Sequence, residues 1–141
     1  MDRKKLFKTF AYFIILLFLL NYVATKLYWY FSIWWSDIPM HFLGGFCIGL
    51  AFIWFLSSAS ESFRLSLESK ALTRILIFKI ILGVLLVGIF WEVFEIYFIN
   101  YIAQNSFNAP DTISDIFFDL AGGIFSIFYF LKTTSIKENK L

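Results

Sequence analysis

The stretch Phe13-Ile14-Ile15-Leu16-Leu17-Phe18-Leu19-Leu20 is an unbroken apolar run inside a longer apolar segment, residues 6–24. A soluble chain of 141 residues could barely build a core large enough to hide such a run from water. Lipid hides it without a core. Three further segments read the same way, at residues 38–56, 75–99 and 112–131. A bilayer core about 30 Å thick needs about 20 apolar residues per helix, and all four segments meet that length. The composition agrees: 60% of residues are hydrophobic and 23% aromatic, and only 16% are charged, against about 25% in a soluble domain. The sequence therefore predicts an all-α fold, a polytopic transmembrane helical bundle of four spans. It is a single transmembrane domain over residues 1–141, without an internal repeat or low-complexity segment.

Basic residues set the direction of the spans. Arg3, Lys4 and Lys5 precede the first one, as they would in a signal peptide, but the apolar part is long and Val23-Ala24-Thr25 is a poor cleavage site, so an uncleaved helix is expected. The connection between spans two and three carries Arg64, Lys70 and Arg74, and the tail carries Lys132, Lys137 and Lys140. The other two connections hold only Lys26. The positive-inside bias then gives one topology at every loop, with both termini cytoplasmic. On the outer side, Tyr28-Trp29-Tyr30-Phe31-Ser32-Ile33-Trp34-Trp35 has the aromatic density of an interfacial belt. Phe63, Arg64, Leu67 and Glu68 suit a short surface-lying helix on the cytoplasmic side. Cys47 is the only cysteine, so no disulfide forms within the chain, and its apolar surroundings make it a packing residue. A net charge of +2 with no nucleic-acid motif excludes nucleic acid as the expected partner and leaves membrane lipid.

Six of the ten acidic residues lie in or beside spans two, three and four: Asp37, Glu92, Glu95, Asp111, Asp115 and Asp119. The one histidine, His41, joins them. With the topology above, Asp37 sits at the outer end of span two and His41 one turn deeper on the same face. Glu92 and Glu95 share a face in the outer half of span three. Asp111, Asp115 and Asp119 recur every four residues in span four, drifting by about 40° per step, so they face roughly one side. The topology was set by lysines and arginines alone, and it brings all seven groups to the outer half of the bundle. Carboxylates inside a membrane cost several kcal/mol each unless they are paired, protonated or metal-bound. No Lys or Arg occurs in residues 27–63 or 80–131 to pair with them.

A divalent metal, Mg²⁺, Mn²⁺, Ca²⁺ or Zn²⁺, would neutralise the set, with His41 shifting the balance towards the transition metals. Protonation of part of the cluster is the other solution. Asp37 and Asp111 also read as helix caps, Pro39 and Pro110 mark those helix starts, and His41 also reads as a core histidine. Glu92, Glu95, Asp115 and Asp119 lie too deep for capping. The glycines Gly44, Gly45, Gly49, Gly83, Gly88, Gly122 and Gly123 read as close helix contacts.

Three stretches taken together resemble a bacterial membrane family, the YjdF-like proteins, and more distantly the VanZ-like proteins. They are Asp37-x3-His41-Phe42, Glu92-x2-Glu95 and Asp111-Thr112-x2-Asp115-x3-Asp119, within residues 37–123. The chain looks shorter than the YjdF-like proteins and lacks the arginine that VanZ-like proteins carry near the acidic motif. The resemblance implies a bacterial cell-membrane location and supports the site. The Asp115-x3-Asp119 spacing is also similar to the pattern with which CDP-alcohol phosphotransferases and UbiA-type prenyltransferases hold Mg²⁺ against pyrophosphate, a chemical analogy.

The leading functional expectation is a metal-dependent protein acting on lipid phosphates or lipid-linked envelope precursors at the outer leaflet, with the carboxylates holding the ion and His41 moving a proton. Two others stand beside it. One is a small cation or proton transporter using the same carboxylates; the other is an accessory or scaffold subunit whose acids meet a partner membrane protein or a second copy of the chain.

The topology predicts that a fluorescent protein fused after Leu141 is bright in cells and that alkaline phosphatase fused there is inactive. The reverse pattern would invert the bundle.

Overall fold

The computed structural model describes residues 3–58, 70–102 and 108–138. Within them the chain forms α1 (Arg3–Lys26), the single turn α2 (Trp29–Ser32), α3 (Asp37–Ser58), α4 (Lys70–Ile102) and α5 (Ala109–Glu138), and no strand. Four helices are long and apolar enough to cross a membrane, over Arg3–Lys26, Asp37–Ser57, Thr73–Phe98 and Ala109–Thr133. This is the expected all-α four-span bundle. The 33 residues of α4 make a rod of about 50 Å, so its ends reach past the hydrocarbon into the headgroup layers. The surface helix expected around Phe63, Arg64, Leu67 and Glu68 lies outside the described residues.

Apolarity alone starts the last span at residue 112, whereas α5 begins at Ala109. The Thr112 amide donates to the Asn108 carbonyl at 3.2 Å and closes a first turn that includes Pro110 and Asp111. Proline is harmless there, because the first N–H groups of a helix have no intrahelical acceptor. Between α1 and α3 the chain reverses through Tyr28, which takes the left-handed conformation with φ 56°. The Ser36 amide then bonds the Ile33 carbonyl at 3.0 Å and turns the chain into α3.

Helix α3 is the centre of the bundle and packs on α1, α4 and most extensively on α5. The apolar core occupies the half of the bundle away from Asp37 and joins Leu6 of α1, Phe46, Leu50 and Ile53 of α3, Ile80 and Val84 of α4, and Ile127 and Phe130 of α5. Outward-facing Phe18, Tyr22, Phe90, Phe117 and Phe128 are exposed on the helix surfaces, which lipid tolerates as well as a core would.

What draws α3 against α5 is backbone contact at two glycines. A Cβ on Gly45 would collide with the Asp119 carbonyl oxygen, and one on Gly122 with the Phe42 carbonyl oxygen, 2.7 Å from the Phe46 nitrogen. The contacts are reciprocal. Gly45 lies one turn past His41 and Gly122 three residues past Asp119, so the same approach that joins the backbones sets His41 opposite the aspartates of α5.

Gly122→Ala should therefore destabilise the detergent-solubilised protein by about 1–3 kcal/mol, the cost of overpacking a close contact. Gly44→Ala, whose methyl would meet nothing nearer than Asp119 Oδ1 at 3.8 Å, should unfold near the wild-type temperature. Equal losses in a thermal melt would show that the close approach is not what holds the two helices.

Candidate metal centre

The first turn of α3 places Asp37 and His41 on one face, and the Asp37 Oδ2 lies 3.6 Å from the His41 Nε2. From α5, the Asp115 Oδ1 comes to 3.9 Å of the same nitrogen. One turn further along α5, the Asp119 Oδ1 stands 3.5 Å from the other ring nitrogen, Nδ1. The two separations at Nε2 exceed the 2.7–3.2 Å usual for a hydrogen bond. They resemble the roughly 3.4 Å between two donors that share a tetrahedral ion at about 2.1 Å.

Helix α4 supplies Glu92 and Glu95 from a third side. Two groups of donor atoms each lie within 4.8 Å of one another: Asp37, His41 and Asp115, and His41, Glu92 and Glu95. His41 belongs to both. His41, Glu92, Asp115 and Asp119 are buried, at 4% to 7% exposed, while Asp37 and Glu95 are half-buried towards the end of the bundle. The Thr112 hydroxyl faces the Glu92 carboxylate. The Glu92 Oε1 is buried and has no hydrogen-bond partner among the described residues. A buried acceptor without a partner costs about 1–3 kcal/mol, more when charged.

Charge makes the arrangement one-sided. The ion-pair partner of these carboxylates among the described residues is His41 alone, which brings at most one positive charge to five acidic side chains. Geometrically the group is able to hold a metal ion. One imidazole nitrogen and several carboxylate oxygens suit Mn²⁺, Fe²⁺ or Zn²⁺ better than the all-oxygen shells that Mg²⁺ and Ca²⁺ prefer.

Of the seven residues singled out by sequence, the structure gathers Asp37, His41, Glu92, Glu95 and Asp115 into the two donor groups. Asp119 meets His41 from the opposite side of the ring. Asp111 is exposed in the first turn of α5 and belongs to neither group; there its negative charge complements the helix dipole. Asp37 is the first residue of α3, with its carboxylate turned to the histidine. Three residues beside the site carried no functional expectation from the sequence. Thr112 was visible as part of the Asp-Thr motif. Asn21, a polar residue within the first apolar span, donates its Nδ2 to the Tyr30 hydroxyl oxygen at 3.0 Å. Tyr30 in turn lies in the field of Asp37 and Glu95, at the rim of the site.

Residues 1–135 match a family described as "Predicted membrane protein (DUF2238)". Comparison with curated proteins and with solved structures gives no match.

Burial, and next the negative charges of Asp37 and Glu95, disfavour the Tyr30 phenolate and hold its pKa above the ordinary value of about 10. In chelator-treated protein, the alkaline absorbance difference between wild type and Tyr30→Phe should show Tyr30 titrating above pH 10. Asp37→Asn removes one of the charges and should move that titration down. An unchanged titration in Asp37→Asn would separate Tyr30 from the acidic group.

Proposed function

We propose that this chain, which belongs to the DUF2238 family of predicted membrane proteins, carries a divalent-metal site at the Asp37 end of its four-helix bundle. The observation that carries the reading is the His41 Nε2 flanked by two carboxylates at 3.6 and 3.9 Å in a buried, lysine- and arginine-free setting. The orphaned Oε1 of Glu92 supports it independently, since it is a buried acceptor that a cation would satisfy. Asp37, His41, Glu92, Glu95 and Asp115 are the ligands, in whole or in part. Within the family frame, the three acidic motifs favour the YjdF-like proteins over the VanZ-like ones.

By the positive-inside reading the site faces the outer leaflet of a bacterial cell membrane, with both termini in the cytoplasm. The substrate class that fits is a lipid phosphate or a lipid-linked envelope precursor, presented at the headgroup level where the site opens. A bound divalent ion would supply Lewis-acid polarisation of a phosphoryl oxygen and a strong positive charge for gripping phosphate there. The chain itself holds the ligands, excludes water from their inner side and, at the rim, offers the Tyr30 hydroxyl. Transport is the weaker use of the same acids. Beyond Asp119 the one buried polar side chain among the described residues is Ser126, and its hydroxyl is spent on the Gly123 carbonyl at 2.7 Å.

The reading is tested by elemental analysis of protein purified in detergent and equilibrated with Mn²⁺ or Zn²⁺. Wild type should retain close to one divalent ion per chain, and a Glu95→Gln, Asp115→Asn double variant should lose it. Wild-type protein that holds no metal would sink the proposal. Metal-dependent phosphate release from a lipid phosphate would extend it to catalysis.

A further inference from the structure

Asp119 differs from the other acids in how completely the structure fixes it. Its backbone carbonyl is pressed against Gly45, where a Cβ would collide with it. Its Oδ2 lies 2.7 Å from the place a Cβ on Gly88 would take, and its Oδ1 lies 3.8 Å from the corresponding place on Gly44. Glycines of α3 and α4 thus shape a slot that admits this carboxylate and leaves no room for a methyl at Gly45 or Gly88. The slot points Oδ1 at His41 Nδ1, 3.5 Å away. On the far side of the same ring, Nε2 faces Asp37 and Asp115. Asp119 falls in neither donor group.

A neutral imidazole has one donor and one acceptor nitrogen. To ligate through one it must carry its proton on the other, and a carboxylate facing that other nitrogen fixes both the tautomer and the ring plane. We propose that Asp119 is a positioning residue that accepts the Nδ1–H of His41 and so presents the Nε2 lone pair, with Asp37 and Asp115, to a divalent ion. The inference rests on the metal reading above and deepens it. It takes Asp119 out of the ligand set in which the sequence placed it and explains the glycines around it, since a small rotation of the ring closes 3.5 Å to a hydrogen bond only if the carboxylate stays in place.

The single histidine makes the test direct, because every histidine ring signal belongs to His41. Protein labelled with ¹⁵N-histidine, purified through a histidine-free tag and loaded with ¹¹³Cd²⁺, should show cadmium coupling at Nε2 and a proton at Nδ1. Asp119→Asn should still take up cadmium, with affinity lowered about 10–100-fold. Gly88→Ala, which keeps Asp119 but places a methyl against its Oδ2, should weaken binding in the same direction, while Gly44→Ala leaves it unchanged. Should either weakening variant fail to fold, the wild-type spectrum alone decides the assignment. Coupling at Nδ1, or undiminished affinity in Asp119→Asn, would overturn the positioning role and leave the metal centre standing. Wild type that takes up no cadmium would overturn both.

Discussion

A carboxylate inside a membrane helix costs up to about 3 kcal/mol, the figure for the helix centre, even by the more lenient insertion scales. This chain places several of them on three helices, all at one end of the bundle, with a single histidine as their paired partner among the described residues. That charge imbalance is the constraint from which the rest of the arrangement follows. The helices must converge there, because separated acids facing lipid would be costlier than acids sharing one neutralising group. Helix α3 contributes the histidine and must therefore be central, which it is. The opposite half of the bundle is then free to hold the apolar core, with Leu50, Ile53, Val84 and Ile127.

The packing device and the chemical device share residues. Gly45 and Gly122 let α3 and α5 meet backbone to backbone, and their neighbours in sequence are the residues that face each other across the site. Gly88 of α4 leaves space for the Asp119 carboxylate instead of for a helix backbone. A methyl added at Gly122 would thus be felt first in stability, and one at Gly88 first in the orientation of His41. In a membrane, where burial supplies no force between helices, such close contacts and interhelical polar pairs are what association depends on. Function and folding here draw on the same few atoms.

Much of this was legible in the sequence, for a physical reason. Span length, lysine and arginine placement and helical periodicity are one-dimensional signals, and together they put His41, Glu92, Glu95 and Asp115 in one place before any coordinates. What periodicity cannot give is which side of an imidazole a carboxylate approaches: Asp115 and Asp119, one turn apart on the same helix, meet opposite ring nitrogens of His41. Apolarity misplaced the start of α5, because the first turn of a membrane helix lies among headgroups and is free to be polar, as Ala109, Pro110 and Asp111 show. Tyr30 was absorbed into the aromatic belt, an explanation sufficient for Trp34 and Trp35 but not for a phenol that accepts a hydrogen bond from Asn21.

The closed apolar half also bears on what such a site can be for. Moving an ion across a bilayer requires a second opening, and in transporters this is commonly achieved by two repeats that rock about a central site. The chain has no internal repeat, and its central pair, α3 and α5, is locked by reciprocal backbone contacts that leave little room for one helix to slide on the other. Below the acids, Phe46, Leu50 and Ile53 of α3 meet Val84 and Ile127 without a polar step. Among the described residues the fully buried hydroxyl there, on Ser126, is already committed to its own helix. Among the described residues the proposed site would thus offer an ion entering from the Asp37 end ligands but no polar path onward, which favours a resident ion over a transported one. On the metal reading proposed above, an ion held at that end would meet what arrives laterally in the membrane and would grip a phosphate-bearing lipid where residues 27–63 and 80–131 offer no lysine or arginine.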